Sequence, residues 1–189
     1  GIGIKKFYNP QDSYMNGGRI IPKFDTAIRY AEILLIYAEA LNELDRTYEI
    51  ASWDNSKTYS ISRNKDEMAK GIEPIRIRAG LPNYSNDVYS NKDEFRKKLK
   101  RERQIELFAE GHRYYDLRRW AIAPQMLKAG LRYGLNGLAL NPSFEEFNTP
   151  IQIDQPFKWD DRLYLLPVWS RSDMDELYSN PQMVQAPGY

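Results

Sequence analysis

The chain of 189 residues holds no cysteine and one histidine, and its charges almost cancel, 27 Lys and Arg against 26 Asp and Glu. Without cysteine it can form no disulfide framework, no thiolate metal site and no cysteine nucleophile. A formal charge of +1 is not the strongly basic footprint of a nucleic-acid binder, so nucleic acid is not an expected partner. No apolar run approaches the roughly 18 residues that a membrane-spanning helix needs. The opening Gly-Ile-Gly-Ile-Lys-Lys is already polar at its fifth residue and does not read as a signal peptide. Gly17-Gly18 is followed by neither lysine nor a helix start, so no phosphate-binding loop is expected.

What the chain does have is aromatic side chains. They make up 13% of it, with 14 Tyr and 4 Trp, more than a core alone requires. Trp53, Tyr59, Trp159 and Trp169 fall in stretches without core periodicity. Flat aromatic faces at a surface are what sugar rings stack on, so these four are the candidate ligand-binding residues. The competing reading is that each plugs its own loop.

The periodicity predicts a mainly α fold of paired antiparallel helices, with long irregular loops and little strand. Asp25 or Thr26 is a plausible N-cap for a helix to about Leu44. Its apolar stripe is Tyr30, Leu34, Tyr37, Leu41 and Leu44, and its alanines let neighbours approach on both sides. Residues 45–62 lose the helical period and read as a long loop. A second helix is expected from Asn64 to Ala79, kinked or divided by Pro74 and stopped by Gly80. Asn91 caps a long helix reaching Trp120, and a shorter piece begins near Pro124. Irregular chain follows to about residue 160, then a short strand over 162–167 and a last helical turn from Ser172 to Tyr178.

Within the stretch Leu99–Trp120 the apolar residues point all round the helix, which marks a buried helix, yet charges are interleaved among them. Buried charges must be paired. Glu102, Glu106 and Glu110 form a column at four-residue spacing, followed by Arg113 and Asp116, and the five are read as a structural ion-pair network. Arg101, Arg103 and Arg113, with Arg76 or Arg78 from another helix, are the expected neutralising partners. A di-iron site would need Glu-x-x-His, whereas His112 stands two residues after Glu110, so no metal and no cofactor are expected. His112 has no nucleophile motif beside it. Asp160-Asp161 is a poor fit to a glycosidase pair, because sequence neighbours point apart, and reads better as a turn or cap. The Lys97–Arg103 run, interleaved with glutamates, reads as a solvated helix face. No catalytic residue is expected.

Four blocks in order carry a resemblance to a known family. Arg29-Tyr-Ala-Glu-Ile-Leu-Leu-Ile-Tyr-Ala-Glu-Ala-Leu-Asn-Glu43, Ile75-Arg-Ile-Arg-Ala-Gly-Leu81 and the Glu102–Trp120 stretch with Gly111, Arg113-Tyr-Tyr-Asp-Leu-Arg-Arg-Trp120 resemble helices of the SusD/RagB family. Tyr164-Leu-Leu-Pro167, Asn180-Pro181 and Gln185-Ala-Pro-Gly-Tyr189 resemble its C-terminal ending. The resemblance implies tetratricopeptide-like helical hairpins and a single domain over 1–189, the C-terminal portion of a protein more than twice as long. It implies a surface-exposed lipoprotein of the outer membrane, its lipid-bearing cysteine upstream of Gly1. Such a protein is not an enzyme. It captures oligosaccharide or another nutrient for uptake, with a SusC-like TonB-dependent transporter as partner. The alternative is a helical-repeat scaffold that binds a protein partner without small-ligand affinity. Two departures stand out: Pro167-Val-Trp169 replaces the Pro-Ile-Pro of many members, and residues 45–62 match no family motif.

Overall fold

A computed structural model describes residues 6, 9–22, 26–127, 133–137, 140–152, 159–167, 184 and 186–188. Its positions divide into two compact units, one of Ile4–Arg113 and one that begins at Tyr114. The predicted mainly α, tetratricopeptide-like architecture is what the described residues show: short helices dominate and the strands are few.

In the first unit, α1 spans Tyr30–Glu43, the strands β1 (Tyr48–Ala51) and β2 (Thr58–Ile61) follow, then α2 (Lys65–Arg78), α3 (Asn86–Ser90) and α4 (Lys92–Glu106). α1 is the central helix. Tyr37 meets Glu67 and Asn42 meets Arg63, so α2 runs antiparallel to it. Asn42 meets Lys92 while Arg29 meets Glu106, so α4 is antiparallel as well. Between the three lie Leu35, Ala38, Leu41, Met68, Ile72, Ile75, Phe95 and Leu99, joined by Tyr89 and Leu107. At the α1–α2 crossing, a Cβ on Gly71 would lie 2.5 Å from the Leu34 carbonyl oxygen, so glycine is required for that close approach.

Local chemistry explains where these helices start and stop. The Asn64 side chain accepts from the backbone of Asp66 and Glu67 and so caps α2 from just outside it, and Asn91 accepts from Asp93 and Glu94 as the predicted N-cap of α4. Gly80, at φ 73°, ends α2. α2 nevertheless runs through Pro74 undivided, because Met68, Gly71, Ile72 and Ile75 bury one face on both sides of it. α1 begins at Tyr30 and not after Asp25 or Thr26, and the Arg29 side chain at its N-cap makes no capping bond. Its buried residues are Leu35, Ala38, Leu41 and Asn42, whereas Tyr30 and Tyr37 of the predicted stripe are exposed. A helix apolar on nearly every side gives its period no means to choose a face.

Residues 45–62 are not a loop. β1 and β2 form an antiparallel hairpin pairing Tyr48 with Ile61 and Ile50 with Tyr59. Those four share one face, and Glu49, Ala51, Thr58 and Ser60 share the other, the alternation of a half-buried strand. Ile61 packs on the core. The expected single helix from Leu99 to Trp120 is also divided. α4 ends at Glu106, Ala109 and Gly111 adopt φ 63° and 81°, and α5 begins at His112. The break lets Leu107 turn into the core.

The second unit holds most of α5 (His112–Arg119), then α6 (Ala123–Met126), β3 (Tyr133–Leu135), α7 (Phe144–Asn148) and β4 (Pro150–Gln152). β3 pairs antiparallel with β4, and a Ser143–Glu146 capping box starts α7. Both lie in chain expected to be irregular. The expected strand at 162–167 is instead a 3-10 turn over Asp161–Tyr164, because Asp160 caps it by accepting from the Arg162 amide. The helical turn expected from Ser172 to Tyr178 lies outside the described residues.

Candidate functional site

The glutamate column is held by arginines distant in sequence. Arg76 Nη1 donates to Glu102 Oε2 at 2.6 Å, and Tyr84 Oη donates to the same oxygen at 2.7 Å. Arg29 reaches Glu106 Oε1 at 2.8 Å and both Glu110 oxygens at 2.7 and 2.8 Å. Arg78 closes on the second Glu106 oxygen at 2.5 Å, and Lys6 also bonds Glu110. Burial opposes ionisation of Glu110, yet the hydrogen bonds from Arg29 and Lys6 hold its carboxyl below the ordinary range. Buried Arg103 turns instead to Glu32, at 3.9 Å, and to His112. Arg113 is half-buried in α5, and buried Asp116 pairs with Arg119 at 2.8 Å. The pairs of Glu102, Glu106 and Glu110 tie α1 and α2 to α4 and the turn after it, whereas Asp116–Arg119 is local to α5.

The four nominated aromatics have different surroundings. Trp53 stands in the β1–β2 turn and is 96% exposed. Its turn is rigid, because Asp54 Oδ1 accepts from the hydroxyls of Ser52 and Ser56 and from the Ser56 amide. Those bonds draw the Asp54 carboxyl down to about 2. In the second unit, Trp159 donates from Nε1 to Asp161 Oδ1 at 3.0 Å and meets Tyr164 edge-on at 4.9 Å. The Arg118 guanidinium lies 5.5 Å over its ring, so Trp159 is built into its own cluster. Asp160 and Asp161 serve the turn and this indole. Trp169 lies outside the described residues.

Tyr59 lines a cleft of about 350 Å³. Tyr37 and Leu41 of α1 form one wall, residues 59–62 the second, and the N-cap Asn64 with Glu67 of α2 the third. Tyr37 Oη donates to Glu67 Oε2 at 2.7 Å, which raises the phenol's pKa. Lys70 donates to Glu67 Oε1 at 2.6 Å, and this bond, aided by Tyr37, lowers the Glu67 pKa. Half-exposed aromatic rings, hydroxyls and an ionised acceptor therefore converge on one concavity, the kind of lining that orients a small polar ligand. Tyr37 was hidden from sequence reading inside a presumed core stripe, and Glu67 among helix charges. Their only signal was that α1 carries more apolar residues than one buried face can use.

The SusD family model, SusD_RagB, matches residues 1–189. The chain belongs to the SusD family. SusD-like protein P2 of Formosa agariphila is 33% identical over 144 residues, which cover 75% of this chain and 25% of that protein. The selenomethionine form of BT4246 is 34% identical with a TM-score of 0.70, covering 98% of this chain and 28% of its own. The SusD-like protein BF3747 from Bacteroides fragilis is 28% identical with a TM-score of 0.56, covering 86% and 25% respectively. The chain thus spans about a quarter of the length of the SusD-like proteins it matches. Among its described residues, no helix is long and apolar enough to cross a membrane.

Proposed function

We propose that this chain is part of a non-catalytic binding protein that captures oligosaccharide or another nutrient at the outer-membrane surface. The ligand then passes to a SusC-like TonB-dependent transporter. Membership of the SusD family supports the general reading. The observation that carries it is the cleft in which Tyr59 meets Tyr37 and Glu67, because an aromatic platform beside hydrogen-bonding groups matches the two faces of a sugar ring. Tyr59 and Trp53, whose hairpin carries both, are the proposed contacts in the first unit, with Trp159 and Trp169 as further aromatics. Titration calorimetry of the chain against a panel of oligosaccharides tests this. Binding without turnover, weakened at least tenfold by Tyr59→Ala, is expected. No binding across the panel would overturn the oligosaccharide reading.

A second reading is a scaffold for a protein partner. It draws on the outer side of α1, where Tyr30, Ile33, Ile36 and Tyr37 are exposed together, a larger apolar stretch than solubility alone would favour. Co-purification with the transporter in the absence of any glycan affinity would favour it.

A further inference from the structure

We infer that the cleft beside Tyr59 takes an uncharged sugar unit and excludes acidic ones, with Glu67 setting the selectivity. This deepens the glycan-binding reading and rests on it.

Glu67 is the sole group among the described lining residues that carries a charge at neutral pH. Lys70 and Tyr37 both donate to its carboxylate, which lowers its pKa from the ordinary value. Each donor occupies a different oxygen, so each oxygen keeps a lone pair to accept another hydrogen bond. A neutral sugar offers hydroxyl donors for those positions, and hydrogen bonds to an ionised acceptor are the strong ones. A uronate or sulfate presents an anion that has no proton to give and meets a charge of its own sign.

The other lining groups agree with a neutral guest. Asn64 Oδ1 is consumed by the amides of Asp66 and Glu67, which leaves its NH₂ as a donor. The hydroxyls of Tyr59, Ser60 and Ser62 take no partner among the described residues, and a hydroxyl can donate or accept as the guest requires. Lys70 does not line the cleft and pairs with Glu67. Arg63 is held by Asn42 and by the Tyr89 carbonyl. A volume of about 350 Å³ is at the small end for ligand sites, which suits one or two sugar rings in place of a long chain.

The test titrates the full chain with neutral gluco-, galacto-, manno- and xylo-oligosaccharides. Oligogalacturonate and its carboxyl-reduced, neutral counterpart are run beside them. Neutral probes should bind at least tenfold more tightly than oligogalacturonate, and Tyr59→Ala should abolish that binding. Glu67→Gln, folded by circular dichroism, should cut the neutral-to-acidic ratio at least fivefold. Raising salt should narrow the ratio in the native chain, because exposed charges are screened. Tighter binding of oligogalacturonate than of its reduced form would overturn the selectivity and leave glycan binding standing. Neutral binding indifferent to Tyr59→Ala would overturn the cleft as its site. Failure of every probe would overturn both readings.

Discussion

Replacing Gly71 by alanine sets two effects of opposite sign against each other. In an exposed helix the change would stabilise by about 1 kcal/mol, because glycine is the poorer helix former. Here the new methyl would lie 2.5 Å from the Leu34 carbonyl oxygen, 2.8 Å from Ala38 Cβ and 3.2 Å from Ala38 N. Carbon–oxygen contacts settle near ~3.3 Å or beyond, so α1 and α2 would have to part by most of an ångström. A gap of that size forfeits about a quarter to a half of each van der Waals contact along the seam. That seam holds Leu35, Ala38, Leu41, Met68, Ile72 and Ile75. Overpacking of this kind costs roughly 1–3 kcal/mol. The obstacle is backbone, which cannot rotate aside as a side chain can, so the cost belongs near the upper end. The clash therefore wins, with a net loss of about 2 kcal/mol and a fall in Tm of roughly 4–8 °C. Thermal unfolding followed by circular dichroism reads this directly. Adding Ala38→Gly removes the 2.8 Å contact and leaves the carbonyl in the way, so it should rescue little. A Gly71→Ala protein that melts at the native temperature or above would refute the close approach of these helices.

Arg29→Met leaves the largely buried Glu106 and Glu110 with Arg78 and Lys6 as their charge partners among the described residues. Loss of one member of a partly buried pair should cost about 2–3 kcal/mol in chemical denaturation, and an unchanged midpoint would show that the column needs no Arg29. Asp54 is depressed from 3.8 to about 2 in the folded hairpin, so its stabilising effect is present above pH 3.8 and is lost as pH falls from there towards 2. Trp53 fluorescence should report loosening of the turn across that window and none between pH 5 and 8. A transition in Trp53 emission near neutrality would contradict it.

The helix limits set by local chemistry, the starts at Asn64 and Asn91 and the stop at Gly80, were the most legible part of the sequence. Asn64 and Asn91 accept from amides two and three residues on, and Gly80 supplies a left-handed backbone that other residues avoid. The hairpin was legible in principle, for Tyr48, Ile50, Tyr59 and Ile61 alternate, but two four-residue strands are too short to outweigh a long polar turn. The break after Glu106 was not legible as a break. Gly111 hints at it, yet Ala109 at φ 63° is held only by what the turn achieves in packing, since alone it costs roughly 1–2 kcal/mol.

The glutamate column shows the same division. By itself the sequence determined that Glu102, Glu106 and Glu110 would need cations, because carboxylates on a helix this apolar cannot stay buried unpaired. Which cations was decided by the tertiary structure: Arg29, Arg76 and Arg78 arrive from α1 and α2, while nearby Arg103 turns to Glu32. Aromatic excess was likewise written in the composition, and Tyr59 could be singled out from it. Tyr37 and Glu67 could not, because the cleft exists only where α1, α2 and the hairpin meet. Periodicity says which residues share a helix face. Which neighbour that face meets is set by packing between segments far apart in the chain, and only the folded structure contains that information.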